Sequence, residues 1–297
     1  MSYEPTELVV TARGGTRLDE LENLLIENRQ CLPFEPPHFG PGATLGGCVA
    51  AGLSGPRRAS AGALRDFILG VKLIDGRGNE LTFGGQVMKN VAGYDVARLA
   101  AGSLGTLGLI AQASLKVLPL PPCELTLQLE LSEAAALERM NRWAGQPLPV
   151  SATAWHREQL YVRLSGSDPG VRAAARTIGG TRLEARQLWH DVREHAHPFF
   201  SGPGPLWRAA VPSIAPPLGL PGETLIEWGG GLRWVRSDGA REAAANAGGH
   251  ATLFRSDGRR DRAFSPIDPV LMGLHRRLKA AFDPAGILNP GRLYPEI

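Results

Sequence analysis

At 297 residues the chain is long enough for two modest domains, each with a core of its own. Its 32 basic and 29 acidic residues nearly balance, which leaves no electrostatic footprint for nucleic acid, and most of the basic residues are arginines, suited to gripping carboxylates and phosphates. Three scattered cysteines, Cys31, Cys48 and Cys123, exclude a disulfide framework or a metal knuckle, and the chain shows no signal-peptide pattern and no apolar run long enough to span a membrane, so a cytoplasmic, reducing compartment is expected.

Residues 7–12 read as a short buried strand, turned by Gly14-Gly15. Thr16 with Asp19 three residues later has the capping-box pattern, and Leu18, Leu21 and Leu25 mark one face of a helix to about Asn28. Residues 31–34 form a second extended piece. A glycine-dense stretch follows, from Gly40 to Leu118. Within it, residues 46–53 read as a short helix behind a turn led by Thr44, with free N–H groups at its start that suit an anion. Residues 71–73 and 81–83 read as a hairpin around Asp75-Gly76-Arg77-Gly78-Asn79, and residues 95–101 as a helix. In residues 109–117, Leu109, Ala111, Ala113, Leu115 and Val117 alternate with Gln112, Ser114 and Lys116, the pattern of a strand with one wet face. Pro119, Pro121 and Pro122 close a first domain at about residue 120.

Residues 121–262 have a different texture. A strand with Leu125, Leu127, Leu129 and Leu131 on one face leads to Ser132, which can cap a helix carrying Leu137, Met140 and Trp143. Strands at 152–155 and 160–164 follow, then a helix marked by Val171, Ala174, Ala175 and Ile178. This β-α-β-β-α order predicts a ferredoxin-like half. A looser second half has helices near 188–192 and 241–246 and strands at 206–211, 224–228, 232–235 and 251–254. The whole is expected to be a small antiparallel cap, with the proline-rich residues 213–221 as a surface loop. A helix over residues 269–282, with Leu271, Leu274, Leu278 and Phe282 on one side, is stopped by Asp283-Pro284 and followed by a turn at Gly286.

The glycines decide the functional reading. They alternate with Leu, Ala, Val and Thr rather than with polar residues, so they predict buried loop backbone whose N–H groups need partners, such as a large polar ligand. The dinucleotide fingerprint does not fit: Gly40 and Gly42 are followed by Gly46, one residue late, while Gly102, Gly105 and Gly108 recur by threes. The P-loop pattern with its Lys-Ser/Thr end is also missing. Taken singly, each glycine is more simply a turn or a helix end.

As an ordered set these segments resemble the flavin-binding domain of the vanillyl-alcohol-oxidase, or PCMH, family. The resemblance rests on Thr44-Leu45-Gly46-Gly47, Gly62-Ala63-Leu64-Arg65-Asp66, residues 34–40 and 83–95, Gly102-Ser103-Leu104-Gly105-Thr106-Leu107-Gly108-Leu109-Ile110, and the tail Phe282 to Arg292. It extends to the FAD-binding subunits of bacterial glycolate oxidases. It implies an α+β fold, a PCMH-type FAD domain with a ferredoxin-like cap, and a tail from residue 263 that returns to the flavin domain. It also implies FAD binding by Thr44, Gly46, Gly47, Cys48, Gly52, Gly55, Gly105, Thr106, Gly108, Ile110 and Asn289. The implied partners are a catalytic flavin subunit, an iron–sulfur subunit and a small 2-hydroxy acid, with any membrane association made through those partners. In this family a first β-α-β unit with a diphosphate-gripping glycine loop precedes the segment that begins here at Tyr3, so the domain is expected to be incomplete at its start. Cys48 reads as a small buried residue rather than a nucleophile.

Catalytic residues are not identifiable in the sequence. The histidine-rich segment and D-G-N-x-H motif of the family's catalytic subunits are absent, as is H-E-x-x-H. His190, His195 and His197 read as a solvated helix end, and His250 as a strand entry or a residue near the flavin. Arg57 and Arg58 suit a carboxylate, a phosphate or ion pairs. Beside the oxidoreductase reading stand a flavin-free docking subunit and a stand-alone flavin oxidase of another hydroxy acid or sugar.

Overall fold

Alternation of apolar and polar residues through most extended segments gives a chain dominated by antiparallel pairing. The computed structural model describes residues 1–85, 95–256 and 263–297; residues 86–94 of the resemblance and the cap boundary at 262 lie outside the described residues. In chain order the elements begin β1 Ser2–Glu4, β2 Val9–Arg13, α1 Leu18–Glu27, β3 Gln30–Cys31, α2 Leu45–Ala51, α3 Arg58–Ala61, α4 Leu64–Phe67, β4 Ile68–Ile74 and β5 Glu80–Gly84. They continue α5 Val96–Ala100, β6 Leu109–Lys116, β7 Leu118–Pro119, β8 Cys123–Glu130, α6 Glu133–Ala144, β9 Val150–His156, β10 Gln159–Gly166, α7 Asp168–Ile178 and β11 Thr181–Leu183. The last are α8 Arg186–Glu194, β12 Leu206–Ala210, β13 Thr224–Glu227, β14 Leu232–Val235, α9 Ala240–Asn246, β15 His250–Arg255 and α10 Pro269–Phe282.

Two units result. One combines Met1–Gly55, Gly62–Leu120 and Pro266–Ile297; the other combines Pro56–Ala61 and Pro121–Ser265. Residues 56–61, which the sequence places in the first domain, belong to the second unit. Arg57 pairs there with Glu124 at 3.3 Å, and Ser60 Oγ donates to Ser151 O at 2.9 Å.

The first unit is built on a five-stranded sheet in the order β1-β2-β6-β4-β5, antiparallel throughout. Helix α1 buries Leu18, Leu21 and Leu25, as their spacing predicts. Its start differs from the sequence expectation. The N-cap is Arg17 rather than Thr16, no side chain caps it, and Asp19 pairs with Arg17 instead. The Leu18 N–H is satisfied by Ala43 O at 2.9 Å.

Strand β6 also departs from the expected alternation. Leu109 is 63% exposed, while Ile110, Ala113, Ser114 and Leu115 are buried. The cause is a bulge: Lys72 pairs with Gln112 but Leu73 with Ile110, so Ala111 is the extra residue and the inward phase shifts by one. The buried Ser114 hydroxyl is satisfied by Thr11 Oγ1 at 2.8 Å.

The tail is locked into this unit by a charge. Leu271 and Leu274, which share one side of α10, are 49% and 47% exposed, whereas Lys279 is 8% exposed. Its ammonium donates to Thr106 O at 2.8 Å, Asp283 Oδ2 at 2.7 Å and Leu288 O at 2.5 Å. Asp283 also accepts from the N–H groups of Leu288 and Ile287, and Gly76 N–H donates to Phe282 O at 2.9 Å. Burial alone would raise the Asp283 carboxyl, but the hydrogen bonds from Lys279 and the two amides outweigh it and hold it below the usual range.

The second unit is one eight-stranded sheet in the order β11-β8-β10-β9-β13-β14-β12-β15. Its first half is ferredoxin-like: β8, α6, β9, β10, α7 and β11 follow in sequence and lie as strands 4-1-3-2. Ser132 caps α6 through Ala135 N–H, and Leu137, Met140, Trp143, Val171, Ala174, Ala175 and Ile178 pack against Leu160, Val162 and Leu164. The second half, with α9 preceding β15, joins edge to edge where Trp155 pairs with Ile226 and Ala154 with Glu227. In place of a helix between β12 and β13 runs the proline-rich segment. It is not simply a surface loop: the fully buried Arg233 donates to Ala215 O at 2.7 Å, Pro216 O at 3.0 Å and Gly230 O at 2.9 Å, pinning the chain from beneath.

Replacing Lys279 with alanine leaves a buried carboxylate without its cation, and we expect a loss of about 3–5 kcal/mol in urea unfolding. Because the Asp283 carboxyl is depressed, its stabilisation is complete above about pH 4 and lost as pH falls through the lower folded value. An unchanged unfolding midpoint in Lys279→Ala contradicts this role.

Candidate cofactor-binding site

The site begins with two glycines in main-chain contact. Gly14 N–H donates to Ala111 O at 2.8 Å, so the bulge of β6 holds the end of β2. Gly14 O then accepts from Gly46 N–H at 2.7 Å. A Cβ at Gly14 would lie 2.0 Å from Ile110 O, and one at Gly46 would lie 2.9 Å from Gly14 O. Only glycine at both positions lets the start of α2 sit flush on the sheet.

That contact overturns one sequence expectation. The N–H groups at the start of α2 are taken by the protein itself: Leu45 N–H by Thr16 O at 2.8 Å, Gly46 N–H by Gly14 O, and Gly47 N–H by Thr44 Oγ1 at 3.2 Å. The seven-residue helix therefore presents no free N-terminal anion hole.

Along the side of α2 runs a trough of about 250 Å³, walled by Leu18, Pro37, Phe39, Ala43, Ala51 and Leu53, with His38, Thr44 and Cys48 as its polar groups. Gly42 and Gly47 leave bare backbone in this wall. A Cβ at Gly42 would meet nothing within 4 Å, and one at Gly47 only Thr44 Oγ1 at 3.3 Å. The volume lies just below the roughly 300–1,000 Å³ usual for sites that enclose a small-molecule ligand, so the trough fits a section of a dinucleotide rather than all of it. Phe39, at φ 54°, holds a left-handed backbone that a bulky residue adopts only under strain, a feature that gathers at ligand sites. His38 Nε2 lies 3.2 Å from Glu22 Oε2. Burial, with Glu22 adding, pushes the Cys48 thiol well above its ordinary range, so it stays protonated.

Of the residues singled out from the sequence, Thr44, Gly47 and Cys48 line the trough. Gly46 stands at the same helix start but faces Gly14. Gly52 closes α2 at φ 64°, and a Cβ there would lie 2.7 Å from Gly102 N. Gly55 N–H donates to Phe34 O at 2.9 Å. The second bend is tied to the end of α2, where Gly102 N–H donates to Val49 O and Leu104 N–H to Ala50 O, and closes on itself through Thr106 N–H to Ser103 O. Asn289 Nδ2 donates to Leu104 O at 2.7 Å and covers Gly105, where a Cβ would lie 2.8 Å from that nitrogen. Gly108 packs against Leu73, and Ile110 is buried in β6. These seven residues, Gly52, Gly55, Gly105, Thr106, Gly108, Ile110 and Asn289, surround the C-terminal end of α2 or pack within the unit, and the trough is not lined by them. Gly14, Gly42, His38, Lys279 and Asp283 were not singled out from the sequence. The Gly14-Gly15 pair was the available signal for one of them, and it read as a turn.

The histidine expectation changes in part. His190 is exposed, but His195 stacks on Phe200 with ring centroids 4.0 Å apart, and burial, then Arg255 and Arg208, lower its pKa to about 3. His197 Nδ1 accepts from Phe199 N–H. His250 is exposed and opens β15. Among the described residues no group of three or more His, Cys, Asp or Glu could hold a metal ion, and no helix is long and apolar enough to cross a membrane.

Comparison with known proteins agrees with this architecture. Residues 1–84 match the family described as "FAD binding domain", and residues 257–293 match "FAD linked oxidases, C-terminal domain". The chain is 48% identical over 301 residues to glycolate oxidase subunit GlcE of Escherichia coli, covering 100% of this chain and 85% of that protein. It is 38% identical over 138 residues to glycolate oxidase subunit GlcD of Bacillus subtilis, covering 46% of this chain and 29% of that protein. Among solved structures, alkyldihydroxyacetonephosphate synthase shares the fold at a TM-score of 0.67 and 15% identity, over 98% of this chain and 66% of that one. The protein is an FAD-linked oxidoreductase, with FAD as its cofactor. Within that class it belongs to the GlcE-type family of glycolate oxidase subunits.

Gly46→Ala forces a methyl against main chain and is expected to cost about 1–3 kcal/mol in chemical unfolding, well above Gly47→Ala, whose Cβ meets only a hydroxyl. Equal stability of the two variants contradicts the Gly14–Gly46 contact as the constraint on α2.

Proposed function

We propose that this chain is the FAD-bearing subunit of a cytoplasmic complex that oxidises glycolate to glyoxylate, together with a catalytic flavin subunit and an iron–sulfur subunit. The observation that carries the reading is the 48% identity to a glycolate oxidase subunit along the whole chain. The shorter likeness to a GlcD subunit supports a related flavoprotein as partner.

Bound FAD supplies the two-electron acceptor for a CH–OH carbon. The chain's own residues bind and orient. Gly42 and Gly47 admit a flat group against bare backbone, and Leu18, Ala51 and Leu53 exclude water from one side of it. Thr44, which caps α2, offers a hydroxyl on the trough wall. Cys48, held protonated, neither attacks the substrate nor ligates metal there. The Asn289 amide, engaged with Leu104 O, holds the second bend in place and contributes to the site through that bend. The sequence lacks the catalytic subunits' histidine motifs, so we assign removal of the hydroxyl proton to the partner flavoprotein.

Co-purified with its partners, the chain is expected to carry flavin absorbance and to reduce an artificial acceptor with glycolate. Alone, it is expected to take up FAD but turn over glycolate about 10²–10⁴-fold more slowly, the usual contribution of a positioned base. A colourless chain that refuses added FAD, or full turnover without partners, contradicts the proposal. Gly42→Leu fills the trough without touching the fold. It is expected to weaken FAD binding by about tenfold or more, at an unfolding midpoint within about 0.5 kcal/mol of the parent protein. Unchanged FAD affinity in that variant removes the trough from the site.

A further inference from the structure

Helix α10 has a second apolar side that the first unit does not cover. Of its 14 residues only Lys279 is buried. The side that carries Lys279 also carries His275, whose ring meets that of Tyr294 with centroids 6.2 Å apart, and Phe282, whose ring lies 6.1 Å from that of Phe83. These three, spaced by four and three residues, make the inward face. Val270, Leu274 and Ala281, spaced by four and seven, form another line along the helix, with Leu271 beside it. All four are exposed, Val270 by 73%. Arg277, also exposed, lies on the flank away from Leu271, and Arg276 lies beyond it on the same flank. Among the described residues neither arginine pairs with a carboxylate. The stripe is held at both ends. Asp268 Oδ1 accepts from Val270 N–H at 2.7 Å and caps the helix, while Lys279 ties the last turn to Thr106 O and Asp283. The apolar side chains thus stand on a fixed helix rather than on a fraying end.

We propose that this stripe of α10 is the surface on which a partner subunit docks, and that the partner presents an apolar groove with aspartate or glutamate along one edge; this rests on the function proposed above, which puts the chain in a complex. Three observations choose that occupant. A valine and two leucines side by side on one helix gain by leaving water, and a helix enters a groove through anchors at this spacing. The two arginines lie on one flank only, so an acidic edge on that flank complements them and sets the direction in which the helix lies. A second copy of this chain matches the stripe poorly. Two-fold pairing over the length from Val270 to Ala281 sets Arg277 against Leu274 of the copy and crowds the two Arg277 side chains about the axis, with no acid on the stripe between them.

The test uses the complex assembled from the full chain and its partner subunits. Sedimentation and light scattering measure assembly of the parent protein, of the double variant Leu271→Asp with Leu274→Asp, of Arg277→Glu and of Leu274→Met. These positions are exposed, so every variant is expected to keep the parent circular dichroism and unfolding midpoint. The double variant is expected to weaken association by about a hundredfold or more, and Arg277→Glu by about tenfold with a shallower dependence on salt. Leu274→Met is expected to assemble as the parent does. A photoreactive phenylalanine in place of Leu274 is expected to cross-link to a partner segment that contains Asp or Glu. Undiminished assembly of the double variant, or a cross-link between two copies of this chain, overturns the surface. Glycolate turnover separates this result from the function proposed above. An assembled complex that does not oxidise glycolate but sheds the double variant defeats that function and keeps the surface. One that oxidises glycolate and holds the double variant at parent affinity does the reverse, and a parent chain that assembles with no partner defeats both.

Discussion

The contact between the main chains of Gly14 and Gly46 governs the first unit. The bulge at Ala111 turns a carbonyl toward Gly14, and the Gly14 carbonyl in turn accepts from Gly46 N–H at the start of α2. The helix is thereby pressed onto the sheet at one end, and at the other it is stopped where Gly52 meets Gly102. Its side, rather than its tip, is left to face a ligand. This is why the trough lies along α2, and why the helix amides, each with an internal acceptor, contribute shape rather than charge.

The second bend and the tail support this arrangement from behind. Thr106 O, Leu288 O and Asp283 converge on one ammonium group, and Asn289 fastens Leu104. An ion pair so well supplied with hydrogen bonds does not need to stabilise the fold greatly to matter. It fixes which loops lie together, and removing one partner is far more damaging than its net worth suggests.

Much of this was legible in the sequence, for definable reasons. Helices α1, α6 and α7 have three- and four-residue apolar spacing, and β8 alternates in sequence, so each of these elements could be read directly. The ferredoxin-like order followed from that succession. What failed depended on partners distant in sequence. The phase of β6 is set by a bulge that no alternation pattern records. Lys279 looks like a surface residue of α10 until the acceptors from Thr106 and Leu288 are placed around it. The segments at 44–47 and 102–108 were read as one set facing one hollow; the first borders the trough, and the second is tied to the C-terminal end of α2 through Gly102 and Leu104. Family resemblance, carried by those ordered segments, identified the protein class.

The central claim is that the cofactor lies along the side of α2, in the trough bounded by residues 37–53. Amide hydrogen exchange of the purified complex, compared with and without FAD, tests it most directly. The expected result is slowed exchange concentrated in residues 38–44, ahead of the bonded amides of α2, with the amides of Gly102, Ser103, Leu104 and Thr106 little changed because they too are already bonded within the protein. Slowed exchange confined to residues 102–110, with residues 37–53 unaffected, would contradict the account.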